Sequence, residues 1–297
     1  MRPNGQPAAW GRRHRCDLGT GTPAQGPTAA DPAFAAGASS GGGMSLWAAL
    51  RAHSGCTRCG RGYPIAPACI APWLDPIPPD ACPRCAQRPI RGQCRSLACR
   101  TGGFRVDRTH VVLGYKRGDA QSLVLAAKDI AAPSAVVLLG RLLAGFLLRH
   151  LTIREYDILL PVPFHQQSLR GRPVHPLTAI YLDAAPALRS AVCCDDLGPP
   201  FLIQRRDLPP LRGRSEAARW DAVRGAFALG FPTRMLRGAR VLLLDDVMTT
   251  GATASECARV LIEDGGAAAV DAVVLVRQPW RAHTEPLPRP LHASLKS

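Results

Sequence analysis

Thirteen consecutive residues carry the strongest chemical signal in this chain: Val241-Leu242-Leu243-Leu244-Asp245-Asp246-Val247-Met248-Thr249-Thr250-Gly251-Ala252-Thr253. An apolar run ends in two acids, and a hydroxyl- and glycine-rich turn then opens a helix. Such a turn suits a phosphate. Gly251 lets the backbone approach closely, Thr249, Thr250 and Thr253 supply hydroxyls, and a helix N-terminus presents unpaired N–H groups with a favourable dipole. The acids suit a sugar beside that phosphate, because a carboxylate accepts hydrogen bonds from vicinal hydroxyls. Asp245 and Asp246 would hold the 2′- and 3′-OH of a ribose while the turn holds its 5′-phosphate.

Taken singly, these residues have ordinary uses, since acids cap helices and threonines form turns. Two adjacent acids behind an apolar strand point instead to a ligand at the strand's carboxyl end, where open α/β sheets bind. Other nucleotide signatures are missing. No glycine precedes a lysine, which excludes a Walker A loop, and no G-x-G-x-x-G opens a helix.

The cysteines form a second set. Seven of the eleven lie between Cys56 and Cys99. Cys56-x-x-Cys59 and Cys82-x-x-Cys85 have the spacing that lets two thiolates reach one tetrahedral zinc ion. In a reducing cytoplasm disulfides are not expected, and metal ligation is the better use. A closed thiolate site is structural, because it leaves no open position for a substrate. Cys193, Cys194 and Cys257 occupy apolar or helical settings and read as core thiols.

The elements that must position these groups follow from the apolar pattern. Tyr156 to Pro163 and Arg240 to Leu244 read as buried strands, with a third from Ala269 to Val276 and another around Val111 to Tyr115. Helices are expected at Pro176 to Ala185 and Ala254 to Glu263. Gln204 to Arg224 is rich in arginine and proline and is expected as a mobile loop or hood. Strand, loop, helix and strand form a crossover unit, so the fold class is α/β with a parallel sheet.

At 297 residues the chain has room for two domains and tails. Residues 1–43, rich in Gly, Ala and Pro, are expected to be a disordered extension. Residues 44–104 form a cysteine-rich module too poor in apolar side chains to fold without metal, 105–280 the α/β domain, and 281–297 a disordered tail. Met44 opens an apolar segment, so the start of translation lies at Met1 or at Met44. No signal peptide is evident, and a cytoplasmic location is expected. The longest apolar stretch, Ser134 to Leu148, is broken by Arg141 and reads as a buried or amphipathic helix, so no membrane insertion is expected. A formal charge of +15 favours polyanionic partners, although all but three of the 37 basic residues are arginine.

The segment from Asp245 to Thr253 matches the 5-phosphoribosyl-1-pyrophosphate (PRPP) signature of type I phosphoribosyltransferases. Most of Cys56 to Arg277 resembles one branch of that family, the ComF competence proteins. The family order is paired cysteines, a P-V-P-x-H strand end leading to R-x-R, an arginine-rich hood ending V-x-G-A-F, and the PRPP loop. Here these read Pro161-Val162-Pro163-Phe164-His165 with Arg170 and Arg172, then Val223-Arg224-Gly225-Ala226-Phe227, then Asp245 onward.

The resemblance implies a type I phosphoribosyltransferase-like parallel sheet with helices on both faces, behind a small zinc ribbon. It places PRPP at Asp245, Asp246, Val247, Met248, Thr249, Thr250, Gly251, Ala252 and Thr253. His165, Arg170 and Arg172 would lie near the pyrophosphate, with Arg206 in the hood. It implies four cysteine pairs in a double ribbon. Cys82, Cys85, Cys94 and Cys99 make the complete set, while Cys56, Cys59 and Cys69 form a degraded or three-thiolate site that His53 could complete. The implied cofactors are Mg2+ with PRPP and structural Zn2+.

The implied roles are phosphoribosyl transfer or DNA uptake. In the latter the hood grips single-stranded DNA, or the cysteine module docks to an uptake helicase. The chain departs from the family at Arg172-Pro173-Val174-His175-Pro176, where R-G-F-N-Q is usual, and at Leu211 and Ala222, where the hood is usually polar. These departures leave PRPP binding better supported than turnover.

Overall fold

A computed structural model describes residues 76–128, 133–149, 151, 153–164, 174–188, 201–209, 211, 213–230 and 234–279. All of them lie in one compact unit, Ser45–Ser297. The expected tails at 1–43 and 281–297 lie outside the described residues, as do Cys56, Cys59, Cys69 and His53.

In chain order the strands are β1 (Thr109–Val111), β2 (Ile158–Pro161), β3 (Leu202–Gln204), β4 (Phe227–Leu229), β5 (Arg240–Met248) and β6 (Ala269–Arg277). The helices are α1 (Leu97–Arg100), α2 (Gly118–Ala126), α3 (Pro133–Arg149), α4 (Pro176–Leu188), α5 (Glu216–Val223) and α6 (Ala252–Arg259). Strands β1, β6, β5 and β2 form a parallel sheet in that order, flanked by helices. The expected α/β class with a parallel sheet is therefore found. Strands β5 and β6 are central and apolar on both faces: Val241 to Leu244 and Val270 to Val276 are buried along their whole lengths. A strand covered on both faces cannot alternate, which is why these runs were continuous in sequence.

Two segments differ from expectation. Strand β5 continues through Met248, with Asp245 paired to Val274 and Val247 to Val276. The acids thus belong to the ladder and do not follow it. The hood is not a bare loop, because β3 and β4 pair antiparallel and α5 lies between them. Ser215 caps α5, accepting from the Ala218 N–H at 3.3 Å, so a helix starts where proline and arginine had suggested only loop. The helix expected at Ala254 to Glu263 is present as α6 followed by a π turn, Val260–Asp264. Among the described residues no helix is long and apolar enough to cross a membrane.

Helices α3 and α4 pack closely because Gly140 has no side chain. A Cβ there would lie 2.7 Å from Asp183 Cβ and 2.9 Å from its Cγ, and nearer still to Oδ2. These atoms are too near the backbone of α4 to swing aside. Gly140→Ala should therefore destabilise the fold by about 1–3 kcal/mol, the usual range for overpacking. Urea unfolding should show a lower midpoint at unchanged slope, and an unchanged midpoint would mean that the helix pair can separate freely.

Candidate functional site

The carboxyl ends of β2, β5 and β6 lie side by side. Pro161 pairs with Leu244, and Met248 pairs with Arg277. This brings the P-V-P strand end next to the acid pair. Successive side chains of a strand point to opposite faces, and the two acids accordingly meet different surroundings. Asp246 is paired with Lys128, just beyond α2, at 2.5 Å. Asp245 lies near Cys257 of α6, whose thiol is pushed well up by burial and by the charges of Asp245 and Glu256.

Burial, and then the charge of Asp246 beside it, pushes the Asp245 carboxyl up to about 7. Part of the opposing effect comes from the Asp246 N–H, which donates to Asp245 Oδ1 at 2.8 Å.

Beyond Met248 the chain turns on Gly251, at φ 81°, into the N-terminus of α6. A left-handed φ already favours glycine, and packing adds to the demand. A Cβ on Gly251 would stand 2.5 and 2.7 Å from Cε2 and Cζ of Phe104. Phe104 is fully buried and packs edge-on against Trp220 of α5, with ring centroids 6.1 Å apart. Within the turn, the Ala252 N–H reaches Thr250 Oγ1 at 3.3 Å, and the Ser255 N–H reaches the Gly251 carbonyl at 2.9 Å. The N-cap residue of α6 is Gly251, which has no side chain to cap it. Leu211 joins Asp245, Val247 and the turn residues around a narrow cleft. An apolar chain therefore sits where the resemblance led one to expect a polar hood residue.

Three cations contact the segment from Asp246 to Thr249. Lys128 meets Asp246, Arg219 Nη1 donates to Thr249 Oγ1 at 3.0 Å, and Arg277 lies beneath the loop, donating to the carbonyls of Met248 and Thr249. Arg206 is used differently. Its Nη2 donates to the carbonyls of Ala222 at 2.8 Å and Arg224 at 3.2 Å, which closes the base of the hood. His165, Arg170 and Arg172 lie outside the described residues. The flanks of that segment meet, with Phe164 stacked on His175 at 4.3 Å.

Cys82, Cys85, Cys94 and Cys99 come together as the spacing and resemblance led one to expect. Their sulfurs lie within 4.8 Å of one another, and the set could hold a metal ion. A tetrahedral ion with metal–sulfur bonds of about 2.3 Å needs sulfurs about 3.8 Å apart, so the donor set fits. The knuckle is tied to the sheet: Thr109 N donates to the Pro83 carbonyl at 2.8 Å, and Arg84 donates to the carbonyls of Phe104 and Val106.

Lys128, Arg277 and Phe104 escaped the sequence reading. Arg277 left one signal, a charge ending the apolar run Val273-Val274-Leu275-Val276. Lys128 is one of three lysines in an arginine-rich chain. Nothing local marks Phe104, whose role depends on a contact far along the chain. No protein-family model matches the chain, and no curated protein is similar enough to be matched.

The raised Asp245 pKa has a consequence for stability. Between its ordinary value of 3.8 and about 7 the folded protein keeps a proton that the unfolded chain has lost. Proton binding favours the fold in that window, so stability should fall as pH rises through it. Asp245→Asn should remove this decline. Denaturant midpoints of parent and variant, measured at steps between those pH values, test it, and an equally steep decline in both would contradict the assignment.

Proposed function

We propose that the chain is a PRPP-binding protein of phosphoribosyltransferase type, related to the ComF proteins, with a structural zinc ion on Cys82, Cys85, Cys94 and Cys99. The observation that carries this reading is the arrangement at the end of β5. Two adjacent acids are held in a strand, and the chain then turns on Gly251 into a helix N-terminus, with Lys128 on Asp246 and Arg219 on Thr249. The turn and helix end suit the 5′-phosphate, and the acids suit the ribose hydroxyls. Mg2+ would arrive with PRPP and supply positive charge that offsets charge developing on the leaving group. Leu211 over the cleft and Arg206 bonded within the hood support binding more directly than turnover.

Calorimetry with PRPP and Mg2+ tests this. Asp245→Ala with Asp246→Ala should abolish the binding heat while circular dichroism stays that of the parent, because the ladder bonds of this segment are made by backbone that alanine keeps. Unchanged affinity in the folded double variant would refute the site. Pyrophosphate release across a panel of nucleobases then separates a transferase from a binder.

A second reading, that the hood grips single-stranded DNA, is favoured by the exposure of Arg205, Arg206, Arg214 and Arg224 along one segment. Each phosphate neutralised releases a counterion, so each arginine contact removed should flatten the slope of log affinity against log salt by about 0.7. Arg205→Ala with Arg214→Ala should weaken binding to all sequences alike and reduce that slope. Parent-like affinity and slope would leave the hood as a lid alone.

A further inference from the structure

Arg277 is only 1 % exposed, at the end of a strand that is otherwise apolar apart from Asp271 near its start. Its Nε donates to the Cys85 carbonyl at 2.5 Å, and its Nη1 donates to the carbonyls of Met248 at 2.6 Å, Gln278 at 3.2 Å and Thr249. One guanidinium thus bridges a residue of the cysteine set and the first residues of the turn. No carboxylate among the described residues lies within ion-pair distance of it. A charge buried without an opposite charge is strongly disfavoured. Of the negative charges near it, Glu216 acts on it from beyond ion-pair distance, whereas the cysteine set includes the residue whose carbonyl Arg277 holds, Cys85, and four thiolates around a divalent cation carry a net double negative charge.

Two further links run from knuckle to loop. Gln87 Nε2 donates to the Gln278 carbonyl at 3.0 Å, and the Gln278 N–H donates to the Met248 carbonyl at 2.9 Å. Arg84, lying between the first two cysteines, holds the carbonyl of Phe104, the ring that stands against Gly251.

We propose that the metal-loaded cysteine site is the counter-ion of buried Arg277 and that, through Arg277 and the Gln87–Gln278 link, metal occupancy and ligand binding at the 248–253 turn are coupled. Arg277 is in this sense a positioning residue, since its hydrogen bonds all go to backbone carbonyls. The metal then organises the phosphate site as well as the cysteine module. The identity of the ligand rests on the PRPP reading, whereas the coupling of metal to loop does not. Coupling between two sites is reciprocal. PRPP should therefore tighten the hold on metal by the same factor by which metal tightens the hold on PRPP.

The test uses the full chain as purified, with zinc content measured first. Zinc loss to a chromogenic chelator is followed with Mg2+ alone and with Mg2+ plus saturating PRPP. PRPP should strengthen zinc retention by about tenfold, within the usual range for coupled sites. Identical retention in a protein shown by calorimetry to bind PRPP would overturn the coupling.

A protein that does not bind PRPP would refute the ligand reading, and hydrogen exchange then decides the coupling without ligand. In Arg277→Lys, with zinc content unchanged, the amides of 249–254 should exchange about tenfold faster or more, since local opening has become easier. Gln87→Ala cuts only the outer link and should speed the same amides by a smaller factor, and it decides the matter if Arg277→Lys does not fold. Parent-like exchange of these amides in the folded, zinc-loaded variants would overturn the proposal.

Discussion

Parallel pairing of β5 with β6, from Arg240 opposite Ala269 to Met248 opposite Arg277, is the constraint on which the site depends. A parallel ladder aligns the carboxyl ends of neighbouring strands, so whatever ends one strand is delivered beside whatever ends the next. Strand β5 carries the acids in its last third and leads into the turn, β6 ends in Arg277, and β2 ends at Pro161 beside Leu244. The buried runs Val241 to Leu244 and Val270 to Val276 hold this alignment. A slip of one residue would turn every side chain of the strand to the wrong face. The hydrophobic core thus fixes the mutual position of three polar strand ends.

The charges there are matched unequally. Asp246 has Lys128 at 2.5 Å, whereas Asp245 is desolvated, crowded by its neighbour and raised to about 7. Two carboxylates adjacent in sequence thus differ in charge compensation: among the described residues one is ion-paired and the other is not.

Much of this could be read from the sequence. The strands from 240 and 269, the helix after the turn and the Cys82-x-x-Cys85 pair were legible because each is local: an apolar run, a hydroxyl-rich turn, a fixed thiol spacing. Cys94 and Cys99, with four residues between them, were expected only from the resemblance. Strand β5 ran past its expected end because acids lower strand propensity in isolation, while eight register partners on β6 hold the backbone extended regardless. The hood was read as loop because Pro and Arg dominate Gln204 to Arg224. Its helix is supported by Trp220 against Phe104 and by the Ser96 hydroxyl on Glu216 at 3.4 Å, partners more than a hundred residues away. Lys128 and Arg277 were hidden for the same reason.

The extension of β5 through its acids also bears on the entropy of recognition. A carboxylate on a flexible loop must be ordered when a sugar binds, and both backbone and rotamer freedom are then lost. Here the Asp245 backbone is already paired across the ladder to Val274, and its carboxylate is oriented by the next N–H. The ordering was completed when the protein folded. A ligand that meets these two acids finds a preorganised surface, and selectivity among sugars would follow from how well their hydroxyls match a fixed geometry.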